Sequence, residues 1–162
     1  MAIAMVDIAL LKKVKLFEGL NSSQLAKVAT ISEERQFEAG TFIFKESDQG
    51  AEMYVIEQGR VRISKNVPGI GEEALAILEP GAYFGEMAVI EDTPRSADAI
   101  AHTSCKLQVL TKEGLDELMF IDKEIAYILL WTFVRTLSER LRETNDKIKA
   151  FFAFSSFNPR GK

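Results

Sequence analysis

Residues 84–101 hold the side chains best placed to handle a ligand. Gly81 and Gly85 let the backbone pack close to a neighbour, a short apolar turn runs from Met87 to Ile90, and Pro94 stiffens the bend that follows. From Arg95 an alternating segment reads as a strand. Small side chains at Gly85, Ala88, Ser96 and Ala97 leave a concavity, served by the Glu86 carboxylate and the Arg95 guanidinium. Free N–H groups of a short helix beside an arginine fork suit a small anion. A carboxylate only accepts, so it suits a ligand hydroxyl. An anion next to a hydroxyl describes a sugar phosphate. The plainer alternative is that Glu86 and Arg95 pair with each other across the turn.

The elements that must position these groups follow from patterning. Residues 3–16 space Ile3, Val6, Leu10 and Val14 as an amphipathic helix. Asn21 and Gln24 form a capping box for a second helix reaching about Ser32. From residue 36 to 111 short β-rich runs (41–45, 53–57, 60–65, 74–78, 95–101 and 106–110) alternate with glycine turns, the pattern of an antiparallel sandwich or barrel. Glu57-Gln58-Gly59-Arg60 reads as a tight hairpin, and residues 67–73 read as a loop without function. Thr111 caps a helix to about Phe120, and Asp122 caps a long one with no proline or glycine before Pro159. Ala126, Leu130, Phe133, Leu137, Leu141, Thr144, Ile148 and Phe151 form a coiled-coil-like stripe with one irregular step. From Asp122 to Phe152 such a helix spans about 45 Å, more than a small β domain covers. A parallel homodimer is favoured over a helix folded back on its own domain. Phe151, Phe152, Phe154 and Phe157 cap this stretch with an apolar tail that needs a lid, dimer or partner role.

Composition narrows the function classes. The 162 residues make one domain with an appendage, and 47% hydrophobic content supplies one core. A net charge of −4 gives no electrostatic reason for non-specific nucleic-acid binding. Residues 1–11 are apolar but interrupted by Asp7, without the basic start of a signal peptide, and no window approaches a membrane span. One cysteine, Cys105, excludes an internal disulfide and suits a cytoplasmic protein. With His102 as the only histidine, no His/Cys metal cluster and no catalytic triad is read. Neither enzyme activity, nor a metal, nor a cofactor is expected.

The run Phe84-Gly85-Glu86-Met87-Ala88-Val89-Ile90, three residues, then Pro94-Arg95-Ser96-Ala97 closely resembles the phosphate-binding cassette of the cyclic nucleotide-binding domains. Those domains occur in regulatory subunits of cAMP-dependent kinase, in gated channels and in bacterial catabolite activator proteins. The resemblance implies an α+β fold: an antiparallel eight-stranded, jelly-roll-like β-roll with N-terminal helices and a long C-terminal helix. It divides the chain into a helical lead-in (1–35), the roll (36–111), C-terminal helices (112–154) and a tail (155–162). It further implies that Glu86 accepts from a ribose 2′-hydroxyl and Arg95 pairs with a cyclic phosphate. Phe84, Gly85, Met87, Ala88, Ser96 and Ala97 would complete the cradle. Residues 139–148 resemble the activators' central helix, with Thr144 and Asn145 on the adenine-contacting positions and Arg140 one turn earlier. About four extra residues precede that match, which moves the pair one turn along and leaves Arg140, Thr136 or Trp131 as alternatives.

The expected ligand is cAMP, with cGMP open because Ser96 can also hydrogen-bond a guanine. Only some ten residues follow the long helix, too few for a winged helix, so DNA binding is not expected. The leading expectation is a cyclic nucleotide sensor acting on an unknown protein effector. Its rivals are a dimeric scaffold with a vestigial pocket and the sensor half of a split regulator.

Overall fold

Alternation of side chains along the strands explains the layering of the protein, seen in a computed structural model that describes residues 8–156. Strands β1 (Ser32–Phe37), β8 (Cys105–Thr111), β3 (Glu52–Gln58) and β6 (Tyr83–Phe84) form one antiparallel sheet in that order. Strands β2 (Phe42–Phe44), β7 (Asp98–Ala101), β4 (Val61–Val67) and β5 (Gly71–Leu78) form the second. These eight strands are the β-roll.

The first sheet separates two apolar clusters, because successive residues of a strand point to opposite faces. Met53, Val55, Tyr83 and Leu110 face the helices, together with Leu11, Leu16, Phe17, Leu25, Ile125, Leu129 and Phe133. Tyr54, Ile56, Phe84, Leu107 and Val109 face the interior of the roll. A strand buried on both faces carries the continuous apolar run Met53–Ile56.

The helices follow their caps. In α2 (Ser22–Thr30) the Asn21 side chain accepts from the Gln24 amide and the Gln24 side chain accepts from the Asn21 amide, both at 2.9 Å. Thr111 Oγ1 accepts from the Gly114 amide (3.1 Å) at the start of α4 (Lys112–Ile121). Asp122 Oδ1 accepts from the Ile125 amide (3.1 Å) at the start of α5 (Lys123–Ser156). Between β6 and β7 lies the single turn α3 (Met87–Ile90).

Several sequence expectations change. The helix read over 3–16 is reduced, among the described residues, to α1 (Ile8–Leu11) and a 3₁₀ turn (Lys15–Phe17); Ile3 and Val6 lie outside the described residues. Breaking the helix lets Leu11, Val14, Leu16 and Phe17 all reach the core, which one helical face does not allow. The second helix ends at Thr30, so the roll begins at Ser32 rather than at residue 36. The loop expected over 67–73 shrinks to residues 68–70, and β4 and β5 pair from Val61↔Leu78 to Val67↔Gly71. Residues 95–97 precede the strand they were assigned to.

The turn at Gly59 is no hairpin: β3 and β4 belong to different sheets, and the chain rounds a corner. Gly59 takes φ +82°, and a Cβ there would overlap the Ser104 carbonyl oxygen and lie 2.9 Å from Cys105 Sγ. In α5, Phe133 of the expected stripe turns inward into the helical cluster and Ala126 is half-buried. Tyr127 and Val134 take their places on the outside, each more than half exposed.

Candidate functional site

The roll encloses a cavity of about 270 Å³ that opens toward α5. Gly85 stands at φ +77° between β6 and α3, where a Cβ would lie 2.9 Å from Arg95 Nη1 and 3.3 Å from the Glu52 carbonyl oxygen. Only glycine lets the backbone pass this close to the guanidinium. Of the residues singled out in the sequence, Phe84, Gly85, Glu86, Met87, Ala88, Arg95, Ser96, Ala97, Arg140 and Thr144 all line this cavity.

Asn145 does not line it and is exposed. The helix instead presents Arg140, Glu143, Thr144 and Lys147, spaced by three, one and three, and Asn145 lies about 100° round the axis from Thr144. Thr136 is buried and Trp131 half-exposed, and neither reaches the cavity. Sequence reasoning missed Glu143 and Lys147, although the period of the helix running through Arg140 and Thr144 could have found them. It also missed the apolar wall of Ile63, Leu75, Ala76 and Leu78 from β4 and β5, for which the sequence carries no local signal.

Glu86 is 2% exposed. It does not pair with Arg95. Its Oε1 accepts from Arg140 Nη1, while Arg140 Nη2 donates to the Tyr83 carbonyl oxygen at 2.9 Å. Oε2 of Glu86 is buried without a hydrogen-bond partner among the described residues. A buried carboxylate oxygen left this way is costly unless a donor arrives.

Arg95 is 6% exposed and makes no ion pair among the described residues. Its Nη1 donates to the Gly85 carbonyl oxygen (3.2 Å), its guanidinium carbon lies 4.1 Å from the Phe44 ring centroid, and its Nε is buried without a partner. Burial pushes its pKa down, while the charges of Tyr54, Glu52, Asp48 and Glu86 oppose that shift. Phe44 and Phe84 line the cavity, and Tyr54 packs behind them, stacked on Phe84 at 5.2 Å. Tyr54 donates to Glu52 (2.9 Å), which also receives two bonds from Arg35 at 3.0 and 2.9 Å. Burial first, then the Glu52 bond, pushes the Tyr54 phenol up to about 12. The main chain of Arg95 is clamped on both sides: its N–H donates to Asp48 (2.9 Å) and its carbonyl accepts from Ser47 (2.8 Å).

At the other cavity-lining positions, Ser96 Oγ donates to Met87 Sδ (3.7 Å) and Thr144 Oγ1 donates back to the Arg140 carbonyl (2.8 Å). Lys147 Nζ donates to the Leu75 carbonyl (3.2 Å), tying α5 to the edge strand β5. Among the described residues no group of His, Cys, Asp or Glu is arranged to hold a metal ion, and no helix is long and apolar enough to cross a membrane.

A cavity that offers a buried cation and a buried acceptor suits a small anionic ligand that also carries a hydroxyl. Residues 34–122 match the model of the cyclic nucleotide-binding domain, and the chain belongs to that family. It is 35% identical over 109 residues to a cAMP-dependent protein kinase regulatory subunit of Mucor circinelloides, covering 67% of this chain and 25% of the relative. It is 28% identical over 139 residues to the CRP-like cAMP-activated global transcriptional regulator of Mycobacterium tuberculosis, covering 86% of this chain and 60% of the relative. The chain thus spans a quarter to three-fifths of these two relatives. The N-terminal domain of a transcriptional regulator from Streptomyces coelicolor superposes with a TM-score of 0.72 at 31% identity, covering 86% of this chain and 94% of that one.

Proposed function

We propose that the protein is a cyclic nucleotide sensor whose first ligand is cAMP, with cGMP as the competitor. The observation that carries this is the pair of unsatisfied buried groups, Glu86 Oε2 and Arg95 Nε, on residues that line one cavity in a chain of this family. A cyclic phosphate supplies the anion Arg95 lacks, and a ribose hydroxyl supplies the hydrogen-bond donor that Glu86 Oε2 lacks. The preference for cAMP follows the two relatives whose names carry it. The readout is α5, because Arg140 on that helix already holds Glu86. A ligand that binds better to one placement of α5 shifts the balance between placements.

Calorimetric titration with cAMP and cGMP, on protein stripped of nucleotide by unfolding and refolding, tests this. Micromolar or tighter binding of one nucleotide is expected. Arg95→Ala should weaken it by about 2–5 kcal/mol, as for truncation of a desolvated charge pair. A folded, empty protein that binds neither nucleotide would leave the scaffold reading.

That second reading has its own observation. Tyr127, Leu130, Val134, Leu137, Leu141, Thr144, Ile148 and Phe151 step 3-4-3-4-3-4-3 along α5, and all but the half-buried Leu137 are exposed. A strict heptad seam of this kind pairs with a second helix, and the proposed occupant is a second copy of the chain in parallel. A protein effector would meet the dimer's outer surfaces; a role in catalysis, DNA binding or membrane anchorage is not proposed.

A further inference from the structure

Gly50, in the loop between β2 and β3, makes no demand of backbone conformation, since its φ lies outside the left-handed region. Yet a Cβ built on it would stand 2.6 Å from Arg95 Nη2, 2.7 Å from Nε and 2.8 Å from Cζ. Ordinary carbon contacts begin near 3.5 Å, so the smallest side chain here requires the guanidinium to move by about 1 Å. No other glycine described here presses on one functional side chain with three atoms at once.

Arg95 cannot give way freely. Its Nη1 is bonded to the Gly85 carbonyl, its guanidinium carbon stands 4.1 Å from the Phe44 ring centroid, and its main chain is clamped by Ser47 and Asp48 of the same loop that carries Gly50. Arg95 lines two hollows. One is the cavity above; the other is a more open one lined also by Gly50, Asp48, Glu52, Tyr54 and Glu113. The missing side chain at position 50 lets the arginine settle back toward the acidic hollow while its unpartnered Nε stays buried.

We infer that Gly50 is a positioning residue: its lack of a side chain sets the depth at which Arg95 meets an anion in the cavity. This rests on the nucleotide-binding reading above. The clash falls on the Arg95 guanidinium and not on backbone, so the displacement it forces is borne by the group that meets the ligand. A misplacement of about 1 Å costs about 100-fold in the rate of a reaction between positioned groups, and the expected loss of affinity is set by analogy at or below that size.

The test uses the full chain with Gly50→Ala, Arg95→Ala and the double substitution, each titrated with cAMP and with cGMP and each unfolded in urea. Gly50→Ala should weaken nucleotide binding about 10- to 100-fold. It should lower the urea midpoint in the presence of Arg95 and leave it unchanged in the Arg95→Ala background. Unchanged affinity overturns the inference. So does an equal fall of the midpoint in both backgrounds, which would place the clash elsewhere. If Gly50→Ala alone does not fold, recovery of folding in the double variant supports the inference, and failure of both overturns it. An unsubstituted protein that binds neither nucleotide refutes the sensor reading instead, and the unfolding cycle then decides by itself whether Gly50 seats Arg95.

Discussion

Arg140 of α5 donates to the buried carboxylate of Glu86, 54 positions earlier in the chain, and with its other nitrogen to the main chain of Tyr83. The helix therefore neutralises the one buried acid of the cavity and leaves that acid's second oxygen unpaired. Arg140→Ala strands a carboxylate that is 2% exposed. It should lower stability by about 1–3 kcal/mol in urea unfolding at pH 7. The loss should shrink in Arg140→Ala/Glu86→Gln, because a neutral amide does not need the guanidinium.

The outward seam of α5 predicts an assembly that one charge can break. Leu141 is 61% exposed at the middle of the seam. Leu141→Glu places like charges across a paired helix and should convert a dimer to a monomer in sedimentation velocity, with unchanged circular dichroism. An unsubstituted protein that sediments as a monomer at high micromolar concentration would remove the seam's proposed occupant.

Ser47 is the one described residue other than glycine with positive φ, at 70°. A serine in the left-handed region costs about 1–2 kcal/mol that glycine does not. Ser47→Gly should therefore raise stability by about 0.5–1 kcal/mol after the entropy of the freer unfolded chain is counted. The amide that holds the Arg95 carbonyl is kept, so nucleotide affinity should be unchanged.

The Arg35 bonds, foremost, hold the Glu52 carboxyl below its ordinary range, with help from Tyr54. A carboxylate whose pKa is depressed in the folded state adds stability that is full above the unfolded value, about 4.3, and is lost as pH falls through the folded value. The melting temperature should drop as pH falls below about 4.3, and Glu52→Gln should be less stable at neutral pH with a shallower acid-side drop. Parallel pH–melting curves would show the idea to be wrong.

The cassette was legible because it is contiguous: residues 84–97 carry both charges and the small side chains between them, so no long-range pairing had to be inferred. The caps at Asn21, Thr111 and Asp122 were legible for the same reason, each being a local hydrogen bond. Strand β1 was not, because Glu33-Glu34-Arg35-Gln36 lies half-exposed at a sheet edge and has no apolar face to betray it. The roof of the cavity was only half legible. Arg140 and Thr144 came from resemblance, whereas Glu143 and Lys147 needed the rotation of α5 about its axis, which the apolar positions left ambiguous until Phe133 was seen to point inward. Gly50 gave no sign at all, since a glycine needed for space rather than for φ looks like any other loop glycine.

The two-residue strand β6 joins two compartments. Phe84 lines the cavity, and Tyr83, one peptide unit away, packs in the helical cluster on the opposite face of the sheet with its ring 5.9 Å from that of Phe133 on α5. Only one strand therefore stands between the interior of the roll and the long helix, a wall a single peptide plane thick.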